Sequence, residues 1–133
     1  MEVEFAFRRE SSNLLGAIGR PVARVIVMHR RRRVPQLFYV DSGADITLIP
    51  KSVGDLLGLT LASSREIREI KGIGERGVPI VIRRLRLQVG SKIFSARVAW
   101  CLIEEVPLLL GRLDCFRLFE ITFRHDLATA FRW

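Results

Sequence analysis

Phe38-Tyr39-Val40-Asp41-Ser42-Gly43-Ala44-Asp45 is the stretch on which the reading of this chain turns. Three apolar or aromatic residues run straight into an acid, a hydroxyl and a glycine. A carboxylate at the end of a strand, in a tight loop, can be held by backbone N–H groups and a neighbouring hydroxyl. Gly43 lets another backbone approach closely. Such triplets are also common in ordinary turns, so the surroundings must decide.

Working outward, the pattern is mostly period two, the signature of strands. Val3, Phe5 and Phe7 alternate with Glu2, Glu4 and Ala6. Residues 22–28 form a second apolar run, and 36–40 returns towards Asp41 from a basic tip, His29-Arg30-Arg31-Arg32-Arg33. Downstream, residues 46–49 predict a short strand, and Pro50 opens a helix over 51–57 that Gly58 ends. Residues 64–70 and 78–89 flank Lys71-Gly72-Ile73-Gly74-Glu75-Arg76-Gly77 and predict a long hairpin with a glycine-rich tip. Within 78–89 the apolar phase changes, from Ile80 and Ile82 to Leu85, Leu87 and Val89. A bulge at Arg83 and Arg84 would absorb that slip. Ser91 and Lys92 mark a turn into a strand over 93–102. A short helical piece near 114–119 precedes a closing hairpin that pairs 120–124 with 128–133 around His125 and Asp126. This describes one domain, residues 1–133, mainly β with one or two short helices. Residues 1–20 form an N-terminal extension carrying the first strand.

Three features occur in order along the chain: Tyr39-Val40-Asp41-Ser42-Gly43-Ala44-Asp45, then Gly72-Ile73-Gly74, then Leu109-Leu110-Gly111-Arg112. Together they resemble the retropepsin-like aspartic peptidases, whose pattern is an apolar pair followed by Asp-Thr/Ser-Gly-Ala, a glycine-rich flap and an apolar-apolar-Gly-Arg motif. The segment Phe119-Glu120-Ile121-Thr122-Phe123 is similar to the closing strand of bacterial and archaeal relatives. The resemblance covers about residue 22 to the C-terminus. It implies an all-β, closed-barrel acid-protease fold and a homodimer acting on an extended peptide, with neither cofactor nor metal. It casts Asp41 as the catalytic carboxylate, with Ser42, Gly43 and Ala44 supporting the loop. Gly43 and Asp45, with Gly72, Ile73 and Gly74 of the flap, would meet substrate. Leu110, Gly111 and Arg112 would pack beneath the loop, with Arg112 pairing to Asp45. Ser42 stands where Thr is commoner, and the N-terminal extension is longer than in the compact viral form. With a longer C-terminal hairpin as well, this argues against the viral dimer of interleaved termini.

Composition bounds the alternatives. The formal net charge is +8, with 19 Arg and only three Lys. The arginine tip lacks interleaved aromatics, which argues against a stacking platform for single-stranded nucleic acid. A basic nucleic-acid-binding β-domain is thus a distant alternative, behind a catalytically silent dimerisation or peptide-binding module. Gly72-Ile73-Gly74-Glu75-Arg76-Gly77 matches a dinucleotide fingerprint letter for letter. The β-branched run after it, containing Pro79, denies it the helix that fingerprint needs. Cys101 and Cys115 have neither metal nor redox spacing and are expected to be buried thiols in a cytoplasmic protein. No apolar run is long enough to span a bilayer.

Overall fold

The computed structural model describes residues 1–72 and 76–133. The strands are β1 (Glu2–Ala6), β2 (Arg8–Ser12), β3 (Gly16–Arg20), β4 (Val22–His29), β5 (Arg32–Val40) and β6 (Thr47–Ile49). After the helix α1 (Lys51–Leu56) come β7 (Arg68–Lys71), β8 (Gly77–Val89), β9 (Lys92–Cys101), β10 (Leu109–Leu110), β11 (Glu120–Arg124) and β12 (Ala128–Arg132). Strands run in the order β4-β5-β10-β6-β9-β8-β7, and β4 also pairs with β8, which closes a six-stranded barrel. A second sheet, β1-β12-β11, packs on the barrel, and β2-β3 stands apart as a hairpin.

The barrel closes around alternate residues of each strand, as a period-two pattern requires. Val25 and Val27 of β4, Leu85, Leu87 and Val89 of β8, and Phe94, Ala96, Val98 and Trp100 of β9 point into one core. The terminal sheet is fastened to this core by edge-to-face aromatics. Phe119 sits 5.6 Å from Phe94, 5.3 Å from Phe131 and 5.7 Å from Trp133, centroid to centroid. Such pairs each add about 0.5–1.5 kcal/mol beyond area burial.

Helix α1 follows the expected start at Pro50 and ends just before Gly58, whose φ of +76° suits the left-handed turn. The helix seats on Trp100 through Gly54, where a Cβ would fall 2.0 Å from the indole nitrogen. The arginine tip is partly structural. Arg32 donates to the carbonyl of Leu56 at 3.0 Å, satisfying a helix C-terminus, and Arg33 donates to Gln88 at 3.3 Å.

Three expectations need correction. The register of β8 against β9 runs without interruption from Ile80↔Cys101 to Val89↔Lys92, so there is no bulge at Arg83 and Arg84. The apolar phase changes because the strand is covered on both faces near its start. Ile80 packs in a second cluster with Ala99 and Cys101, and the odd-numbered residues fill the barrel. Ile82 lies on the outer face and is 45% exposed. Second, residues 64–66 form a 3-10 turn, capped by reciprocal bonds between Ser63 and Glu66, and only Arg68–Lys71 is strand. Third, the N-terminal extension holds the β2-β3 hairpin in addition to the first strand. The expected short helical piece near 114–119 is a 3-10 turn at Phe116–Leu118.

Candidate active site

The Asp41 loop is fixed by strands that come from far along the chain. β5 ends at Val40, and β10 lies between β5 and β6, parallel to the first and antiparallel to the second. The loop from β5 to β6 therefore wraps over the end of β10. Val40 N–H donates to Pro21 O at 3.0 Å and Asp41 N–H to Leu110 O at 3.1 Å. Beyond the loop, Arg112 N–H donates to Ala44 O and Leu113 N–H to Asp45 O, both at 2.9 Å.

Gly111 is the floor of this corner. A Cβ there would lie 2.4 Å from the backbone carbon of Ile46 and 2.8 Å from the nitrogen of Thr47, so only glycine fits. Its N–H donates to the Oγ1 of Thr47 at 3.0 Å, and Thr47 is fully buried. Thr47 is the structural residue that the motif reading missed. Its signal is a hydroxyl inside the apolar run Ile46-Thr47-Leu48-Ile49, since a buried hydroxyl needs a partner.

Within the loop, the N–H of Gly43 donates to Asp41 Oδ1 at 2.8 Å, and Ala44 N–H to Asp41 O at 3.2 Å. Asp41 is half-buried, while Ser42 and Gly43 are exposed. The carboxylate is thus oriented by backbone on one side and open on the other. Asp45 and Arg112, both exposed, form an ion pair at the far end of the loop. Leu110 is fully buried beneath.

A groove of about 440 Å³ opens beside Asp41, with Tyr39, Val40, Pro21, Pro107 and Leu109 as its apolar lining and Glu10 and Arg20 as a polar wall. The phenol of Tyr39 donates to Glu10, with oxygen separations of 2.7 and 2.9 Å. That hydrogen bond, with burial, raises the phenol's pKa above its ordinary value.

The β7-β8 hairpin is present, with Ile70 opposite Val78 and Lys71 opposite Gly77. Its base packs beside the loop's exit, where Ile70 and Val78 share a cluster with Ile46, Leu48 and Val106. Among the described residues, nothing comes within 4 Å of a Cβ placed on Gly72. Ile73 and Gly74, the rest of the expected flap tip, lie outside the described residues.

Elsewhere, Arg97 grips Asp114 through two side-chain bonds of 2.8 and 3.0 Å and its own N–H at 3.0 Å. Those bonds hold the Asp114 carboxyl well below the usual carboxylate range. Both cysteines are free and buried, as expected. Burial pushes the Cys101 thiol up to about 11 and the Cys115 thiol to about 12, so neither is a thiolate at neutral pH. Among the described residues, no helix is long and apolar enough to cross a membrane.

No family model and no curated protein matches the chain by sequence. Solved structures do match by shape. A retropepsin-like aspartic protease from Rickettsia conorii superposes with a TM-score of 0.69 at 20% identity, covering 96% of this chain and 98% of that one. EIAV protease complexed with the inhibitor HBY-793 superposes with a TM-score of 0.51 at 19% identity, covering 77% of this chain and 88% of that one. The fold is retropepsin-like.

Proposed function

We propose that this chain is an aspartic endopeptidase, active as a homodimer in which Asp41 of each copy faces the other across a two-fold axis. The observation that carries this reading is the Asp41 corner. One carboxylate is aimed by the Gly43 N–H and open to solvent on its other side, in a loop sealed by distant backbone. Retropepsin-like neighbours that are aspartic proteases support it. A single chain offers one such carboxylate, and the chemistry needs two.

In the dimer one Asp41, ionised, takes a proton from a water. The other, protonated, polarises the scissile carbonyl, and the water oxygen adds to its carbon. Two acids sharing a site hold one proton between them, because two charges so close repel strongly. Ser42 would bond across the axis between the two loops. An extended peptide would lie between the loop floor and the β7-β8 hairpin, pairing through its backbone and placing alternate side chains in grooves such as the one beside Tyr39. Gly43 and Asp45 would meet it from below, and Gly72, Ile73 and Gly74 from above. The raised thiols count against a cysteine nucleophile.

A peptide library incubated with wild type and with Asp41→Asn tests the reading. Wild type should cut, with a rate that rises and then falls with pH, because the productive pair holds a single proton. The Asn variant should keep its fold and lose cleavage. Cutting by Asp41→Asn at a wild-type rate would overturn the assignment.

A further inference from the structure

The β2-β3 hairpin is out of keeping with the rest of the molecule. Residues 8–20 are all exposed or half-buried. Its ladder is regular, from Arg8↔Arg20 to Ser12↔Gly16. Yet a lone two-stranded hairpin is marginal in water at best, because it has no face to bury. At its tip, Leu14 is 88% and Leu15 68% exposed. Strands of this length project roughly 17 Å. Its side-chain anchor is halfway along β2, where Glu10 accepts from Tyr39 and lies 3.6 Å from both Arg8 and Arg20. Tyr39 is two residues from Asp41, so the hairpin springs from the rim of the candidate site.

We infer that this hairpin is an arm that clasps a second copy of the chain, burying Leu14 and Leu15 against it. The inference rests on the two-fold site proposed above, which needs a partner at the Asp41 rim. A stable interface takes about 20–30 residues a side, far more than the Asp41 loop supplies. The terminal strands are already engaged at home: β1 pairs with β12 over its whole length. Arg124 bridges Glu2 and Glu4 on the outer face of that sheet, and Arg132 pairs with Glu120. Such charges discourage edge-to-edge addition of another chain. The hairpin is the projecting, unfilled element at the right place.

The test measures self-association separately from catalysis. Sedimentation is run on Asp41→Asn alone and on Asp41→Asn carrying Leu14→Asp and Leu15→Asp, with circular dichroism as the check on folding. Both leucines are exposed, so the monomer fold should survive. The single variant should dimerise, and the acidic tip should weaken the dimer by about 30-fold or more, as losing a buried interface anchor does. Peptide cleavage by Leu14→Asp/Leu15→Asp in the Asp41 background should fall at low protein concentration and recover at high. Equal dimer affinity with and without the acidic tip overturns the arm and leaves the peptidase reading standing. Tip-dependent dimers that cut no peptide support the arm and sink the peptidase reading. A chain monomeric at every concentration overturns both.

Discussion

The corner around Asp41 and the hairpin beside it are neighbours in space and opposites in construction. In the corner, backbone hydrogen bonds to distant segments, a buried threonine hydroxyl and a glycine with no room for a methyl fix a handful of residues. In the hairpin, thirteen consecutive residues bury nothing fully, and a tyrosine–glutamate contact ties them down. One region is over-determined by its own chain, and the other is left for something else to complete. A close-fitted corner of this kind is what the proposed catalytic carboxylate would need, since misplacement by about 1 Å can cost two orders of magnitude in rate. Exposure at the second is what a surface still to be covered would show, where binding itself would supply the burial.

A pair of alanine substitutions should show the contrast at its widest. Gly111→Ala drives a methyl into the backbone of Ile46, and urea denaturation should show a loss of about 3 kcal/mol or more. Gly16→Ala, at a hairpin-tip φ of +72° with open space around it, meets only local strain. It should cost the global transition far less, within about 1 kcal/mol. Equal losses would mean that the hairpin is part of the cooperative core.

Thr47→Val sharpens the account of the corner. It keeps the shape but strips the Gly111 N–H of its acceptor, so stability should fall by about 1–3 kcal/mol, the cost of an unsatisfied buried donor. Thr47→Ser should recover much of this in the same titration. Full stability in the Val variant would show that packing, and not the hydroxyl, holds β10 in place.

A third comparison uses pH. Asp114 follows the corner at φ +60°, and Arg97 anchors it to β9. A carboxyl held below its unfolded value stabilises the fold above that value, near 3.9, and the contribution fades as acid protonates the folded group. Asp114→Asn should therefore melt a few degrees below wild type near neutrality, with the gap closing under strong acid. The pair is partly solvent-facing, so salt should narrow the gap as well. A gap that does not respond to acid would assign the effect to lost geometry instead of charge.

The smallest expected effect belongs to the hairpin's tether. Tyr39→Phe removes the bond to Glu10, so amide hydrogens of residues 8–20 should exchange faster while the global melting temperature moves by no more than a degree or so. A large global shift would mean that the tether matters to the whole fold and that hairpin and corner are built alike.

Much of the barrel was legible because its strands are half-buried and alternate. The loop at Asp41 and its packing on Leu110-Gly111 were legible because Asp41-Ser42-Gly43 and Leu110-Gly111-Arg112 each follow an apolar run. The hairpin was not. Arg8-Arg9-Glu10-Ser11-Ser12 has no apolar phase, because it has no buried face within its own chain. β10 escaped because two residues are too few to show a period. The supposed bulge failed for a different reason: a change in which face of β8 is covered looks, in sequence, the same as a change in register. Thr47 was passed over because its role depends on Gly111, 64 residues away.

That separation has a further consequence, in time. The strand that seals the Asp41 loop is two residues long and sits late in the chain, and β1 waits for β12, which is later still. Contacts so distant in sequence are formed slowly, because the loop-closure entropy must be met before they can reward it. During synthesis the acidic loop leaves the ribosome well ahead of the backbone that will hold it. A nascent chain that has not yet reached Leu109 and Leu110 therefore carries Asp41 without the backbone that holds its loop.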